Sequence, residues 1–153
     1  MFDSVLIVCT GNICRSPVGE RYLRHLFPKK KIDSAGTRAC TGLAASYQMK
    51  EVAARYGLSL AGHTGTPLTE DKLNQYDLIL AMEKTHIFHI LSMAPYVRGK
   101  TFLFGHWIAQ QNIPDPIGYD DAVFEAVYQL IAQASQQWAN KLNSTLSWRN
   151  GCL

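Results

Sequence analysis

Apolar residues in this chain come in two patterns, short unbroken runs and longer stretches at helical spacing. Ser4-Val5-Leu6-Ile7-Val8-Cys9 is a β-branched apolar run. A run without alternation suits a strand covered on both faces, as in a parallel sheet. A polar turn containing glycine follows at residues 10–15, and Ser16-Pro17 then reads as an N-cap and first helical position. That helix is predicted to run to about Phe27, where Pro28 stops it. Residues 31–35 predict a second strand, and residues 44–56 a helix that Gly57 ends. Thr69 caps a short helix opening on Glu70-Asp71, with the acids at its positive end. Residues 76–82 predict another buried strand, 84–94 a helix up to Pro95, and 101–104 a last short strand. Val123, Val127, Leu130, Ala134 and Trp138 fall three or four apart and give the final helix one apolar face. Asp120 and Asp121 read as the acids of its first turn.

Strands alternating with helices predict an α/β fold on a parallel sheet, in one domain spanning residues 1–153. Ligands of such sheets bind beyond the carboxyl ends of the strands, so chemistry is expected in the loop after the first strand. Composition narrows the class. The chain is 47% hydrophobic and 18% charged, which excludes a disordered polymer. No apolar run reaches the roughly 18–20 residues of a membrane span, so no membrane association is expected. The opening Met1-Phe2-Asp3-Ser4 lacks a basic segment, and the expectation is a cytoplasmic protein without a secretory signal. A net charge of +3 is too small to argue for nucleic acid. No basic stripe interleaved with aromatics is present, and Lys29 to Lys31 read as a solvated turn.

Four cysteines, Cys9, Cys14, Cys40 and Cys152, do not form a disulfide framework in a chain long enough to build a core, so reduced thiols are expected. No Cys-x-x-Cys or Cys/His cluster suggests a metal. His86 and His89 lie three apart with no third ligand and read as helix-surface or packing residues.

The loop itself reads Cys9-Thr10-Gly11-Asn12-Ile13-Cys14-Arg15-Ser16. A short loop wrapped at a helix N-terminus aims several backbone N–H groups at one point, a site for a tetrahedral anion. Gly11 permits a positive φ without steric cost, and Asn12 tolerates one better than most residues. Arg15 can fork onto two phosphate oxygens. Cys9 would face the same positive field, which favours a thiolate at neutral pH. The dipoles that bind the dianion thus also create the nucleophile. A Cys-x5-Arg spacing alone is weak, but the whole string between a buried strand and a Ser-Pro helix start is specific. The bland alternative, a buried strand-end cysteine with a surface arginine, leaves the gathering of Gly11, Asn12 and Arg15 unexplained.

With these residues in view, the chain resembles the low-molecular-weight protein tyrosine phosphatases. Val8 to Pro17 matches their phosphate-loop motif. The likeness continues through Ser34-Ala35-Gly36-Thr37, Gly62-His63, Tyr76 to Met82 and Pro114-Asp115-Pro116, and so covers essentially the whole chain. The resemblance implies a four-stranded parallel sheet with helices on both faces, flavodoxin-like and of the phosphatase I type. It implies hydrolysis of phosphotyrosine in proteins and of small aryl phosphates through a phosphocysteine on Cys9. Arg15 and the amides of Thr10, Gly11, Asn12, Ile13, Cys14 and Ser16 would bind phosphate, Asp115 would act as general acid and base, and no metal or cofactor would be needed. Asp115 lies between two prolines that stiffen its loop, while Asp120 and Asp121 are its local competitors. Asn12, Ser16, Ser34 and His63 would form a network that holds the loop. Cys14 would pair reversibly with Cys9 under oxidation; the resemblance assigns no role to Cys40 or Cys152. A tyrosine-phosphorylated protein is the implied partner, with a bacterial tyrosine autokinase as the family-level expectation, and the chain is expected to be a monomer or weak dimer.

The chain departs from the family at the substrate slot. Ile117 stands where the family carries an aromatic after the Asp-Pro pair, and Cys40 stands near a second wall position, with Leu43, Ile117 or Tyr119 as substitutes. Ile13 at the slot base favours an aryl phosphate over the arginine phosphate of relatives that carry threonine there. Arsenate reduction on a related loop is the nearest rival, but residues 83–100 contain no cysteine to relay a disulfide. A phosphoprotein-binding or redox-sensing module is the rival of another class, and it would not need Cys9 with Asp115.

Overall fold

A computed structural model describes residues 2–143; Cys152 lies outside the described residues. The strands are β1 (Ser4–Cys9), β2 (Lys31–Gly36), β3 (Leu78–Ala81) and β4 (Thr101–Leu103). The helices are α1 (Arg15–Leu26), α2 (Tyr47–Arg55), α3 (Glu70–Gln75), α4 (Lys84–Met93) and α5 (Asp121–Leu142). A 3-10 turn at Pro95–Lys100 links α4 to β4. All strand pairs are parallel, in the order β2-β1-β3-β4.

The central strand β1 divides its side chains between two cores. Val5, Ile7 and Cys9 pack with Val18 of α1, Met49 of α2 and Phe124 and Trp138 of α5. Leu6 and Val8 pack with Leu73 of α3 and Ile90 of α4 on the other face. This is why the run shows no polar alternation: both faces are covered, and each fully buried side chain contributes roughly 1.5–3 kcal/mol. From β1 the chain goes to β2 on one side, then crosses to β3 on the other. The crevice beyond the carboxyl ends of β1 and β3 is therefore a topological switch point. There the turn into α1 and the turn into α4 meet from opposite faces of the sheet.

Several boundaries differ from expectation for physical reasons. Helix α1 begins at Arg15 with Cys14 in the N-cap position, so Ser16 is not the cap. The Ser16 hydroxyl is committed to Cys9 and Asn12 instead. Pro17 still lies in the first turn, where no intrahelical N–H is needed. Helix α2 is shorter than expected, because Ser46 caps it and Ala44 is held in a bridge to Thr64. On α5 the buried stripe includes Phe124, Val127, Tyr128, Ile131 and Ser135, while Val123 and Leu130 are only partly buried at its margin. The helix packs on both α1 and α2, so its covered face is wider than the one stripe read from spacing. Lys29 to Lys31 are not simply a solvated turn: Lys30 donates to Phe2 O at 2.7 Å, and Lys31 opens β2 with its ammonium over the Tyr76 ring.

Candidate active site

The loop from Cys9 to Arg15 turns on Asn12. Its φ is +57°, the left-handed region, whereas Gly11, the other candidate for that conformation, does not have a positive φ. Asn12 is fully buried, and every polar group of its side chain is used. The Nδ2 amide donates to Ser16 Oγ at 2.8 Å and to Ser34 Oγ at 2.9 Å, while Oδ1 accepts from the Thr66 N–H at 2.9 Å. Its carbonyl accepts from His63 Nε2 at 2.6 Å, which fixes the proton on that nitrogen. An asparagine supplies two donors, an acceptor and tolerance of positive φ together, and glycine would supply only the last.

The chain of bonds ends on the sulfur. Ser16 Oγ accepts from Asn12, so its own proton is free to donate to Cys9 Sγ, 2.9 Å away. The Asn12 N–H donates to the same sulfur at 3.3 Å. Ser34 in turn donates to Glu20 Oε1 at 2.9 Å, and Glu20 lies beside Arg21 and His63. The neighbouring thiol of Cys14 is buried, and burial together with the nearby Cys9 pushes its pKa well above the usual thiol range. Gly36, at the end of β2, lets the loop sit this close, since a Cβ there would lie 2.4 Å from Thr10 O and 3.0 Å from Asn12 Cβ.

Arg15 is only 2% exposed, yet its guanidinium is held from several directions. Nη1 donates to Glu83 Oε2 at 2.5 Å and to Ile113 O at 2.9 Å. Nη2 donates to Thr10 Oγ1 at 3.3 Å and lies 3.9 Å from Asp115 Oδ2. Ile113 is itself pinned, because its N–H donates to Met82 O at 2.8 Å just past β3. That bond carries Pro114-Asp115-Pro116 to the mouth of the loop. Asp115 is half-exposed, and the Ile117 N–H anchors its Oδ1 at 3.1 Å. On the opposite rim, the Ser46 N–H donates to Ile13 O at 2.6 Å and sets the start of α2 against the loop.

The structure thus brings Cys9, Asn12, Arg15, Ser16, Ser34 and His63 together at one loop, with Asp115 beside Arg15. Leu43, Cys40, Ile117 and Tyr119 are exposed on the surrounding segments, as is Tyr47 at the start of α2. Four residues were not anticipated: Glu20, Thr66, Glu83 and His86. Glu20 had a signal, a carboxylate one helical turn after Ser16 on the same buried face. Thr66 acts through its backbone N–H and had none. His86 is buried, not a surface or simple packing residue: its Nε2 lies 2.8 Å from Thr10 Oγ1. His89, in contrast, is exposed. Among the described residues no cluster of three or more His, Cys, Asp or Glu side chains is arranged to hold a metal, and no helix is long and apolar enough to cross a membrane.

Comparison with known proteins agrees with this geometry. Residues 4–147 match the family model described as low molecular weight phosphotyrosine protein phosphatase. The low molecular weight protein-tyrosine-phosphatase Etp of Escherichia coli strain K12 is 50% identical over 142 residues, covering 93% of this chain and 96% of that protein. The crystal structure of the tyrosine phosphatase Wzb from Escherichia coli K30 in complex with sulphate has a TM-score of 0.91 at 53% identity, covering 94% of this chain and all of that one. Vibrio vulnificus Wzb in complex with benzylphosphonate has a TM-score of 0.89 at 46% identity, covering 92% and 99%. A chain matched along nearly its whole length, with Cys9 and Arg15 placed as the phosphate loop requires, belongs to the low molecular weight phosphotyrosine protein phosphatase family and is a protein-tyrosine-phosphatase working through a phosphocysteine.

Proposed function

We propose the following division of labour for that reaction. The Cys9 thiolate attacks phosphorus in line, and the bond from phosphorus to the phenolic oxygen breaks. Arg15 and the loop amides hold the three equatorial oxygens, where transition-state charge spreads. Asp115 Oδ2 gives its proton to the leaving phenolate, since Oδ1 is tied to the Ile117 N–H. The carboxylate then takes a proton from water, which attacks the phosphocysteine and releases inorganic phosphate and the thiolate. The loop supplies the positive charge that a metal supplies in other phosphatases. The observation that carries this reading is the donor chain from Asn12 through Ser16 to the Cys9 sulfur, with Asp115 Oδ2 3.9 Å from Arg15 Nη2.

The substrate in this reading is a tyrosine-phosphorylated protein, with a bacterial tyrosine autokinase as the partner. Cys9 is 2% exposed, and in this reading a tyrosyl arm is long enough to bring its phosphate down to it while a seryl arm is too short. The benzylphosphonate complex of Vibrio vulnificus Wzb supports an aryl-methylene phosphorus group as the ligand class. Tyr47 and Tyr119, both well exposed beside the loop, are candidates to flank the ring in place of an aromatic at Ile117. Phosphotyrosyl and phosphoseryl peptides of one sequence test this in EDTA: hydrolysis of the first alone is expected, and equal rates on both overturn the slot argument.

The same site is proposed to be redox-protected, in a compartment that otherwise keeps its thiols reduced. Peroxide converts the Cys9 thiolate to a sulfenic acid; Cys14 sulfur then attacks, the S–O bond breaks and water leaves. Because burial keeps Cys14 protonated, Cys9 is the sulfur oxidised first. Mild peroxide followed by peptide mapping is expected to show a Cys9–Cys14 link and full recovery of activity with thiol. In Cys14→Ser, recovery is expected to fail, and equal recovery in both proteins overturns the protective role.

A further inference from the structure

We propose that His86 is a positioning residue for the phosphate clamp, its imidazole tying Thr10 of the loop to the turn before α4 and thereby fixing Arg15 between Thr10 and Glu83. His86 lies in the first turn of α4, 3% exposed, on the far side of the sheet from α1. Its Nδ1 accepts from the Glu83 N–H at 3.0 Å, so that nitrogen carries a lone pair and the proton resides on Nε2. Nε2 then donates to Thr10 Oγ1 at 2.8 Å. Arg15 Nη2 donates to that same oxygen, and Arg15 Nη1 to the Glu83 carboxylate. The four residues form a closed ring that joins the loop after β1 to the turn after β3. Burial, reinforced by the Arg15 charge, pulls the imidazole down to about 4 against the weaker opposing pull of Glu83 and Asp115. A neutral ring with both nitrogens engaged is suited to holding its neighbours, not to exchanging protons with substrate.

The competing explanation is that His86 only caps α4 through the Glu83 N–H. The two differ at Thr10. His86→Leu removes both bonds, and Thr10→Val removes the hydroxyl while leaving the cap intact. His86→Gln keeps both functions, because a glutamine three residues after an N-cap reaches back to its N–H and still offers an amide donor. Each of His86→Leu and Thr10→Val is expected to lower kcat/KM for para-nitrophenyl phosphate and to weaken inhibition by inorganic phosphate by roughly 10–100-fold. The double variant is expected to lose no more than the more damaged of the two single ones, and His86→Gln to stay within a few-fold of wild type. A folded His86→Leu with unchanged phosphate inhibition, or losses that multiply in the double variant, overturns the proposal.

Should His86→Leu fail to fold, nitrogen-15 NMR of the wild-type imidazoles decides the matter. The neutral Nε2–H tautomer is expected for His86 at pH 7, with its Nε2 proton exchanging faster in Thr10→Val. An Nδ1–H tautomer or an imidazolium at that pH overturns the ring. The proposal rests on Arg15 holding phosphate, and wild-type turnover in the same assay keeps failure of that premise distinct from failure of the His86 link.

Discussion

Replacing Cys9 with serine is expected to reduce turnover of para-nitrophenyl phosphate to background, a loss of roughly 10⁴–10⁶. A serine hydroxyl in the same place receives the Asn12 N–H and the Ser16 proton, but its alkoxide is far less accessible at neutral pH than a thiolate. The phosphate site survives, because Arg15, Asn12 and the loop backbone do not depend on the sulfur. Cys9→Ser is therefore expected to bind phosphotyrosyl peptide and hold it unhydrolysed. Stopped assays with EDTA present, alongside calorimetry of peptide binding, check both halves. Full activity in Cys9→Ser overturns the phosphocysteine assignment, while loss of activity together with loss of binding means that the loop itself has collapsed.

Asp115→Asn is expected to lower turnover of phenyl phosphate by roughly 10²–10⁴. The effect depends on the leaving group. Phenolate needs a proton as the P–O bond breaks, whereas para-nitrophenolate leaves readily without one. The loss on para-nitrophenyl phosphate is therefore expected to be smaller, and the ratio between the two substrates identifies proton donation as the missing function. An equal loss on both assigns Asp115 a binding or electrostatic role instead, and its 3.9 Å separation from Arg15 Nη2 makes that the specific alternative. Asp120 and Asp121 do not compete for the role: Asp120 caps α5 through the Val123 N–H, and Asp121 is paired with Arg55.

The sheet and the loop were legible because each is local. Val5 to Val8 announce a strand buried on both faces within a handful of positions, and Cys9 to Ser16 hold the nucleophile and clamp in one string. Position misleads where one residue is claimed by two partners. Ser16 looks like an N-cap by position, but its hydroxyl is claimed by the sulfur and Asn12, so the helix starts without it. Gly11 and Asn12 both suit a left-handed turn by residue type, and Asn12 takes that conformation, from which its amide reaches Ser16 and Ser34 together. Glu83 and His86 were illegible for a different reason. They meet Arg15 and Thr10 only because β1 and β3 are adjacent, and no local spacing encodes contacts across 68 and 76 residues.

Asn12 also makes the nucleophile depend on a single side-chain amide. Hydrolysis of its side-chain amide would leave a carboxylate where two N–H donors now face Ser16 and Ser34. Both serines would then turn their protons toward the new charge, and the one on Ser16 would leave the sulfur it now supports. A stored preparation damaged at this one atom would keep its sheet, its helices and its arginine clamp, yet its nucleophile would be left with the Asn12 backbone N–H and without the serine proton.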